Sequence, residues 1–451
     1  MLGASTLRLL WGGVSVGNRM ARVFAWLLLG LLGVHLVLLG LVPLGSEDTW
    51  WHLKLGELYV TTGSVPAQDP FAFTTAGRTW LHYSWLADIA IYSVYRAAGL
   101  NGLILFRLGC LLVVAGLLYR LLRGCGLHPA AAVLGVFLAS LALRFRLLVR
   151  PELLTFPLLL LTLWVLLRLQ AARPALAYAL LPLMALWVNL HGSYVFAIGL
   201  PALVLLANWI PGGRTLPGWG RLVLDRRRQR HLAAAVACLP FAALLHPDGM
   251  AILLFPFRQN RMVRLTLFTE WMEVWRLPEI DPIWWEVLIV LGLVVCAFLA
   301  SAALLWVREG RLDPVGWGVL LSMGTYAVFR NRAVPYFVLA ILPFVALALV
   351  RLAAALEPGR SLQRLRWAGV LGCLLVLGAS VADHLSPGAR FRVGFGLRQN
   401  FFPEGATAFL ERHRLDGRVF NAYHFGGYLI WRRWPANQVI IDGRYDAILF
   451  D

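Results

Sequence analysis

Lysine is almost missing from this 451-residue chain: Lys54 stands alone beside an arginine content that lifts the formal net charge to +18. Charge of either sign is scarce, at 14% of residues against about 25% in a soluble domain. That scarcity excludes an ordinary soluble fold. Cysteine is sparse too. Cys110, Cys125, Cys238, Cys296 and Cys373 are scattered, most of them inside apolar runs, with no metal-ligand spacing. A disulfide framework and a thiolate metal site are both excluded on that pattern. The chain also lacks a Walker loop, a GxGxxG turn after a strand and a serine-hydrolase elbow.

What it has in abundance is apolar sequence, 60% of residues, with a mean hydropathy of +0.71. This composition defines an all-α polytopic membrane protein. Apolar runs of about 17–25 residues mark the spans. They fall at 23–44, 102–119, 129–147, 152–167, 175–190, 193–210, 232–246, 283–307, 314–329, 335–350 and 367–383, about eleven transmembrane helices. The first run has a basic flank (Arg8, Arg19, Arg22) and no small-residue cleavage site, so it is expected to stay as a helix. Two amphipathic pieces, near 49–61 and 83–97, are expected to lie in the interface of the first outer loop, 45–100. Residues 1–383 make the transmembrane domain. Residues 384–451, polar and turn-rich, make a small α/β domain outside the bilayer.

Charge gives the orientation. With the N-terminus inside, every cytoplasmic segment is basic, above all the loop carrying Arg214, Arg221, Arg226, Arg227, Arg228 and Arg230. Most acids fall outside. The arginine excess is therefore read as loops facing anionic lipid, and nucleic acid is not expected as a partner. The C-terminus falls on the extracytoplasmic side. The first outer loop, the Asn189–Gly192 turn, the 247–282 segment, the Arg330–Arg332 turn and the C-terminal domain then share one compartment.

The first outer loop is the polar island of the chain. Glu47 and Asp48 stand where the first helix leaves the bilayer, followed at once by Trp50, Trp51 and His52. Such carboxylates could act as a general base, hold a divalent cation such as Mg or Mn, or simply solvate a helix end. Arg144, Arg146 and Arg150 break the positive-inside trend, as do Arg330 and Arg332. Guanidinium forks suit phosphate, and they also snorkel to lipid headgroups. His52, His82, His191 and His246 include no i, i+4 zinc pair. In the segment 421–446, Gly426–Gly427 predicts a bulge or a close backbone approach, and 439–444 predicts a short buried strand.

SEDTWWHLKLGELYVTTGSVPAQDPFAFTTAGRTWLHYSWLAD resembles the first outer loop of bacterial GT-C-type membrane glycosyltransferases. The resemblance continues through ArgProGlu (150–152), LeuTrpValAsnLeuHisGly (186–192) and the C-terminal AsnAlaTyrHisPheGlyGlyTyrLeuIleTrp and IleAspGlyArg. It implies a donor sugar on a polyprenyl phosphate and a glycan, lipid or cell-envelope acceptor, with an active site at the outer face. It further implies Asp48 as general base with Glu47 beside it, and Arg144, Arg150 and Arg330 as the cations near the leaving phosphate. His52, Asp69, His82 and His191 would line the substrate pocket. The WWDYG-type signature of oligosaccharyltransferases is absent, so peptide acceptors are not expected. A non-catalytic relative, a scaffold or a lipid-linked glycan transporter, is the alternative that the same resemblance allows.

Overall fold

A computed structural model describes residues 15–64, 66–78, 80–209, 222–256, 269–310, 312–355, 360–386 and 392–444. Arg8, Arg214, Arg221, part of the expected 247–282 segment and residues 445–451 lie outside the described residues. The long helices are α1 (Ser15–Gly40), α2 (Thr49–Thr62), α3 (Trp85–Gly124), α4 (Pro129–Leu143), α5 (Thr155–Leu169), α6 (Leu180–Leu190), α7 (Val195–Trp209) and α8 (Arg226–Cys238). After them come α9 (Trp285–Glu309), α10 (Pro314–Phe329, interrupted by a π turn), α11 (Val334–Ala355), α12 (Arg360–Leu385), α13 (Glu404–Arg412) and α14 (Tyr423–Arg433).

Among the described residues, eight helices are long and apolar enough to cross a membrane. Pro174–Leu190 and α10 are apolar but shorter. The span expected at 232–246 stays α-helical only to Cys238, then tightens into a 3-10 stretch, Leu239–Leu245. Pro240 removes a backbone donor there. Phe241, Leu244 and Leu245 on that stretch remain exposed, as do Trp26, Leu206, Leu293 and Leu375 on the bundle. Such an apolar exterior suits lipid. The centre belongs to α11, whose residues from Val334 to Ala348 are buried on every side. A helix apolar all round has no other stable place.

Two expected interface pieces take definite form. The first is α2. The second continues into a span as one long helix, α3, and Gly99 (φ 62, ψ −156) kinks it between the two halves. Only glycine adopts that conformation cheaply. α2 lies along α3 so closely that a Cβ on Gly56 would sit 2.2 Å from the Asp88 carbonyl oxygen. One turn earlier on the same face, His52 Nδ1 meets Asp88 Oδ1 at 2.6 Å.

The C-terminal segment folds back onto residues 44–80, which follow α1. Leu44 and Leu397 pair, and the Leu44 amide donates to the Gly396 carbonyl. β1 (Gly417–Val419) and β2 (Asn437–Val439) pair in parallel, and β2 bridges to Ala72. One apolar cluster joins Trp51, Leu55, Phe71 and Trp80 to Leu429, Ile430 and Val439. A second joins Trp50 and Leu53 to Phe402 and Tyr428. The stretch around Gly426–Gly427 is helix, in α14, rather than strand. The close approach expected at this pair is present: a Cβ on Gly427 would stand 2.5 Å from the Glu47 carbonyl.

Candidate functional site

Asp48 is the residue before the first turn of α2, and its side chain does not cap the helix. Instead the carboxylate points across the loop. Trp51 Nε1 donates to Oδ1 at 3.1 Å, and Arg150 Nη1 lies 3.1 Å from Oδ2. The Thr49 hydroxyl donates to the Val149 carbonyl at 2.9 Å, which ties the start of α2 to the turn that carries Arg150. Arg150 is extended (φ −137, ψ 161), as the residue before Pro151 must be. Its Nε donates to Ser46 Oγ at 2.8 Å.

From Asp48 a chain of alternating charge runs inward. Arg150 also binds Glu270 Oε1. Arg146 Nη1 lies 2.9 Å from the same oxygen, and Arg146 Nε donates to Glu152 Oε2 at 2.9 Å. Glu152 and Arg146 are buried, while Asp48 keeps 20% of its side chain and Glu270 32% in contact with solvent. The accessible carboxylates are therefore the ones that a small substrate can reach. Breaking a buried member of such a chain costs about 3–5 kcal/mol, because it strands its partner's charge.

The two acids at the loop differ from Glu270 in their proton affinity. Burial pushes Glu47 up to about 7, and the Asp48 charge beside it adds to the rise. Burial also raises Asp48, with Arg150 pulling the other way. Burial acts on Glu270 too, but Arg146, Arg150 and Arg332 outweigh it and hold Glu270 well below the usual carboxylate range. Glu47 and Asp48 therefore both hold a proton more readily than Glu270 does.

Glu270 is followed by Trp271, and Trp271 lines a cavity of about 540 Å³. The cavity follows α7 from Val195 to Leu206, roughly 17 Å at 1.5 Å per residue. Leu200, Leu203, Phe196 and Met323 make its long apolar part. Its polar end carries His191, Ser193, Arg332 and Tyr336. The Tyr336 hydroxyl donates to Ser193 Oγ at 2.9 Å, and His191 Nδ1 shares that oxygen at 2.9 Å. Arg332 lies over the Trp271 ring, 4.3 Å from its centre.

The residues expected to be functional are placed as follows. Glu47, Asp48 and Arg150 come together, and His191 lines the cavity. His52 is buried between Asp88 and the Trp51 ring, 3.5 Å between ring centres. Asp69 is buried and holds Arg444 Nη1 at 2.6 Å, fastening the first loop to the C-terminal segment. His82 donates its backbone amide to Asp248 at 2.9 Å. Arg144 pairs with Glu286 at 2.5 Å, facing α9 and α12 rather than the cavity. Arg330 donates to the Trp271 and Phe329 carbonyls. Arg146, Glu152, Glu270, Arg332 and Tyr336 complete the constellation. Glu270 gave only one sequence signal, an acid beside Trp271 in an outer segment.

These donors do not fit a divalent cation. Both Asp48 oxygens are engaged, and guanidinium groups hold Glu270. Among the described residues, no three His, Cys, Asp or Glu side chains converge as a metal site. Glu152 Oε1 is buried without a partner, but a single oxygen does not make an octahedral or larger shell.

No family model and no curated protein matches the chain. Its fold, however, is GT-C-like, and solved structures match it along most of its length. It is similar to the Archaeoglobus fulgidus oligosaccharyltransferase. The apo form aligns with a TM-score of 0.55 at 12% identity, over 92% of this chain and 64% of that chain. The form tethered to an acceptor peptide containing the NVT sequon gives 0.56 at 13% identity, over 94% and 64%. The complex with Zn and sulfate gives 0.55 at 13%, over 92% and 62%. The chain thus spans under two thirds of that protein's length, and the likeness is one of fold.

Proposed function

We propose that the chain is a membrane glycosyltransferase that moves a sugar from a polyprenyl phosphate to an acceptor hydroxyl at the extracytoplasmic face of a bacterial inner membrane. The observation that carries this reading is the junction of two features. An apolar cavity, suited to a lipid phosphate where Arg332 lines it, is linked through Arg332, Glu270 and Arg150 to Asp48, a partly accessible carboxylate of raised proton affinity.

The polyprenyl chain lies along α7, and its phosphate is met by Arg332, His191 and Tyr336. The acceptor hydroxyl enters at Asp48. As its oxygen bonds to the sugar C1, the C1–O bond to phosphate breaks and the phosphate leaves with the electron pair. The hydroxyl proton passes to Asp48, and the anomeric centre inverts. The leaving phosphate is already a stable anion, so fixed positive charge near it lowers the barrier without a strong general acid. The acceptor is a glycan, a lipid or a cell-envelope polymer. The N-terminus is cytoplasmic, as the arginine-rich loops require.

The test uses purified protein in liposomes with a radiolabelled sugar on polyprenyl phosphate. Asp48→Asn is expected to slow transfer by about 10²–10⁴, the usual worth of a positioned base. Undiminished transfer by the folded variant would refute the assignment.

A further inference from the structure

Resting on the glycosyltransferase reading, we infer that Arg150 occupies the place and does the work of a divalent cation, so that this site runs without metal and is built to exclude one. Three observations support it. The first is coordination by carboxylates. Arg150 Nη1 sits between Asp48 Oδ2, at 3.1 Å, and Glu270 Oε1. A cation placed between an acid of the first outer loop and an acid of a later outer segment would take that position. The guanidinium already holds it, with Nε anchored on Ser46.

The second is charge. Asp48, Glu270 and Glu152 alternate with Arg150 and Arg146, and Arg332 lies close enough to Glu270 to help hold it ionised. These three carboxylates balance three guanidinium groups, and Glu47, raised to about 7, adds negative charge to draw a dication only as it ionises around and above that pH. A divalent ion entering between Asp48 and Glu270 would meet Arg150 at contact distance, and like charges at that range in a buried site repel strongly.

The third is the unused donor face. Nε and Nη1 of Arg150 are committed, whereas Nη2 makes no hydrogen bond among the described residues. A planar guanidinium presents its donors as a fork, and an Nη2 pair left open beside the general base is suited to a phosphate oxygen. Arg150 then does two things at once. It fixes the Asp48 carboxylate in place, and it offers positive charge to the phosphate that departs. A metal ion would supply the same two services. Arg150 touches the reacting groups and is, on this reading, a catalytic residue.

Two measurements on the full-length protein in detergent or liposomes test the inference separately from the function. Mn²⁺ is titrated and its binding followed by electron paramagnetic resonance, which needs no substrate. The native protein is expected to bind no Mn²⁺ with a Kd below 1 mM, on the order of the weakest useful site. Arg150→Ala, which frees Asp48 and Glu270 to face each other, is expected to gain Mn²⁺ binding. Tight Mn²⁺ binding by the native protein that Asp48→Asn removes would overturn the inference, whether or not Arg150→Ala folds. In the transfer assay, EDTA treatment is expected to leave the native rate unchanged within twofold. A rate lost to EDTA and restored by Mg²⁺ or Mn²⁺ would overturn it as well. No transfer in any condition would sink the glycosyltransferase reading, and the Mn²⁺ titration would still decide the point about the cation.

Discussion

Gly443→Ala separates the geometry of the site from the stability of the fold. Gly443 follows Asp442 in the returning C-terminal segment, and its backbone lies directly against the Asp48 carboxylate. A Cβ at position 443 would stand 2.0 Å from Asp48 Oδ1 and 3.0 Å from Trp51 Nε1. Its backbone is not in the left-handed region, so alanine meets no conformational strain there. The whole effect falls on the carboxylate, which must move by more than an ångström. The Trp51 hydrogen bond to a charged acceptor, worth about 1.5–3 kcal/mol when intact, is lost or lengthened. Misplacing a reacting group by an ångström costs on the order of 10²-fold in rate. Gly405→Ala serves as control, since nothing lies within 4 Å of a Cβ there. The assay is the rate of sugar transfer in liposomes, with thermal unfolding of both variants alongside. Gly443→Ala is expected to lose about two orders of magnitude in kcat, with its unfolding temperature lowered by no more than the loss of that one hydrogen bond allows. Native transfer by Gly443→Ala would show that the position of the Asp48 carboxylate does not matter.

Other consequences concern the groups around this point. Glu47, whose folded-state pKa is raised to about 7 by burial and by Asp48, is neutral in the fold at pH 5 and charged at pH 8. A raised acid stabilises below its unfolded pKa, and that stability is lost as pH rises through the folded value. Glu47→Gln is therefore expected to match the native protein at pH 4 and to be more stable at pH 8 in chemical denaturation; a native protein more stable than the variant at pH 8 would contradict this. Arg444 and Asp69 are buried and paired, with Arg444 also held by Asp442. Arg444→Ala should cost about 3–5 kcal/mol and expose the C-terminal segment to limited proteolysis, and Arg444→Lys should not restore protection. Ala202→Trp puts an indole into the apolar cavity. At about 0.8 kcal/mol per buried methylene, excluding a few lipid carbons should raise the KM for the lipid donor roughly tenfold or more, with kcat nearly unchanged.

The fold was legible wherever the bilayer dictates composition. A span needs about 20 apolar residues, and eight runs satisfy that in length and structure alike. The helices expected near 49–61 and 83–97 are present, the second as the first half of α3. The 232–246 run was not, because apolar content says nothing of how Pro240 divides a helix. The segment 421–433 reads as β-prone from its aromatic residues. It forms helix because Leu429 and Ile430 can then pack into one apolar cluster with Trp51 and Leu55, and Tyr428 into a second with Trp50 and Leu53. Asp48 stood out in the sequence because acids are rare here and this one follows a span. Its partners did not. Arg150 lies 102 positions away and Glu270 a further 120, and no local pattern records such pairing. Arg144 and Arg150 look alike in the sequence, and only the turn after α4 sends one toward Glu286 and the other toward Asp48.

The central claim of the proposed function is that Asp48 takes the acceptor proton. The direct measurement is single-turnover transfer from polyprenyl-phosphate sugar in liposomes, native protein against Asp48→Asn, across pH. The account predicts a native rate that rises with pH as Asp48 ionises and an Asp48→Asn rate at least about 10²-fold lower with no such rise. Equal rates with the same pH dependence in both proteins would contradict it.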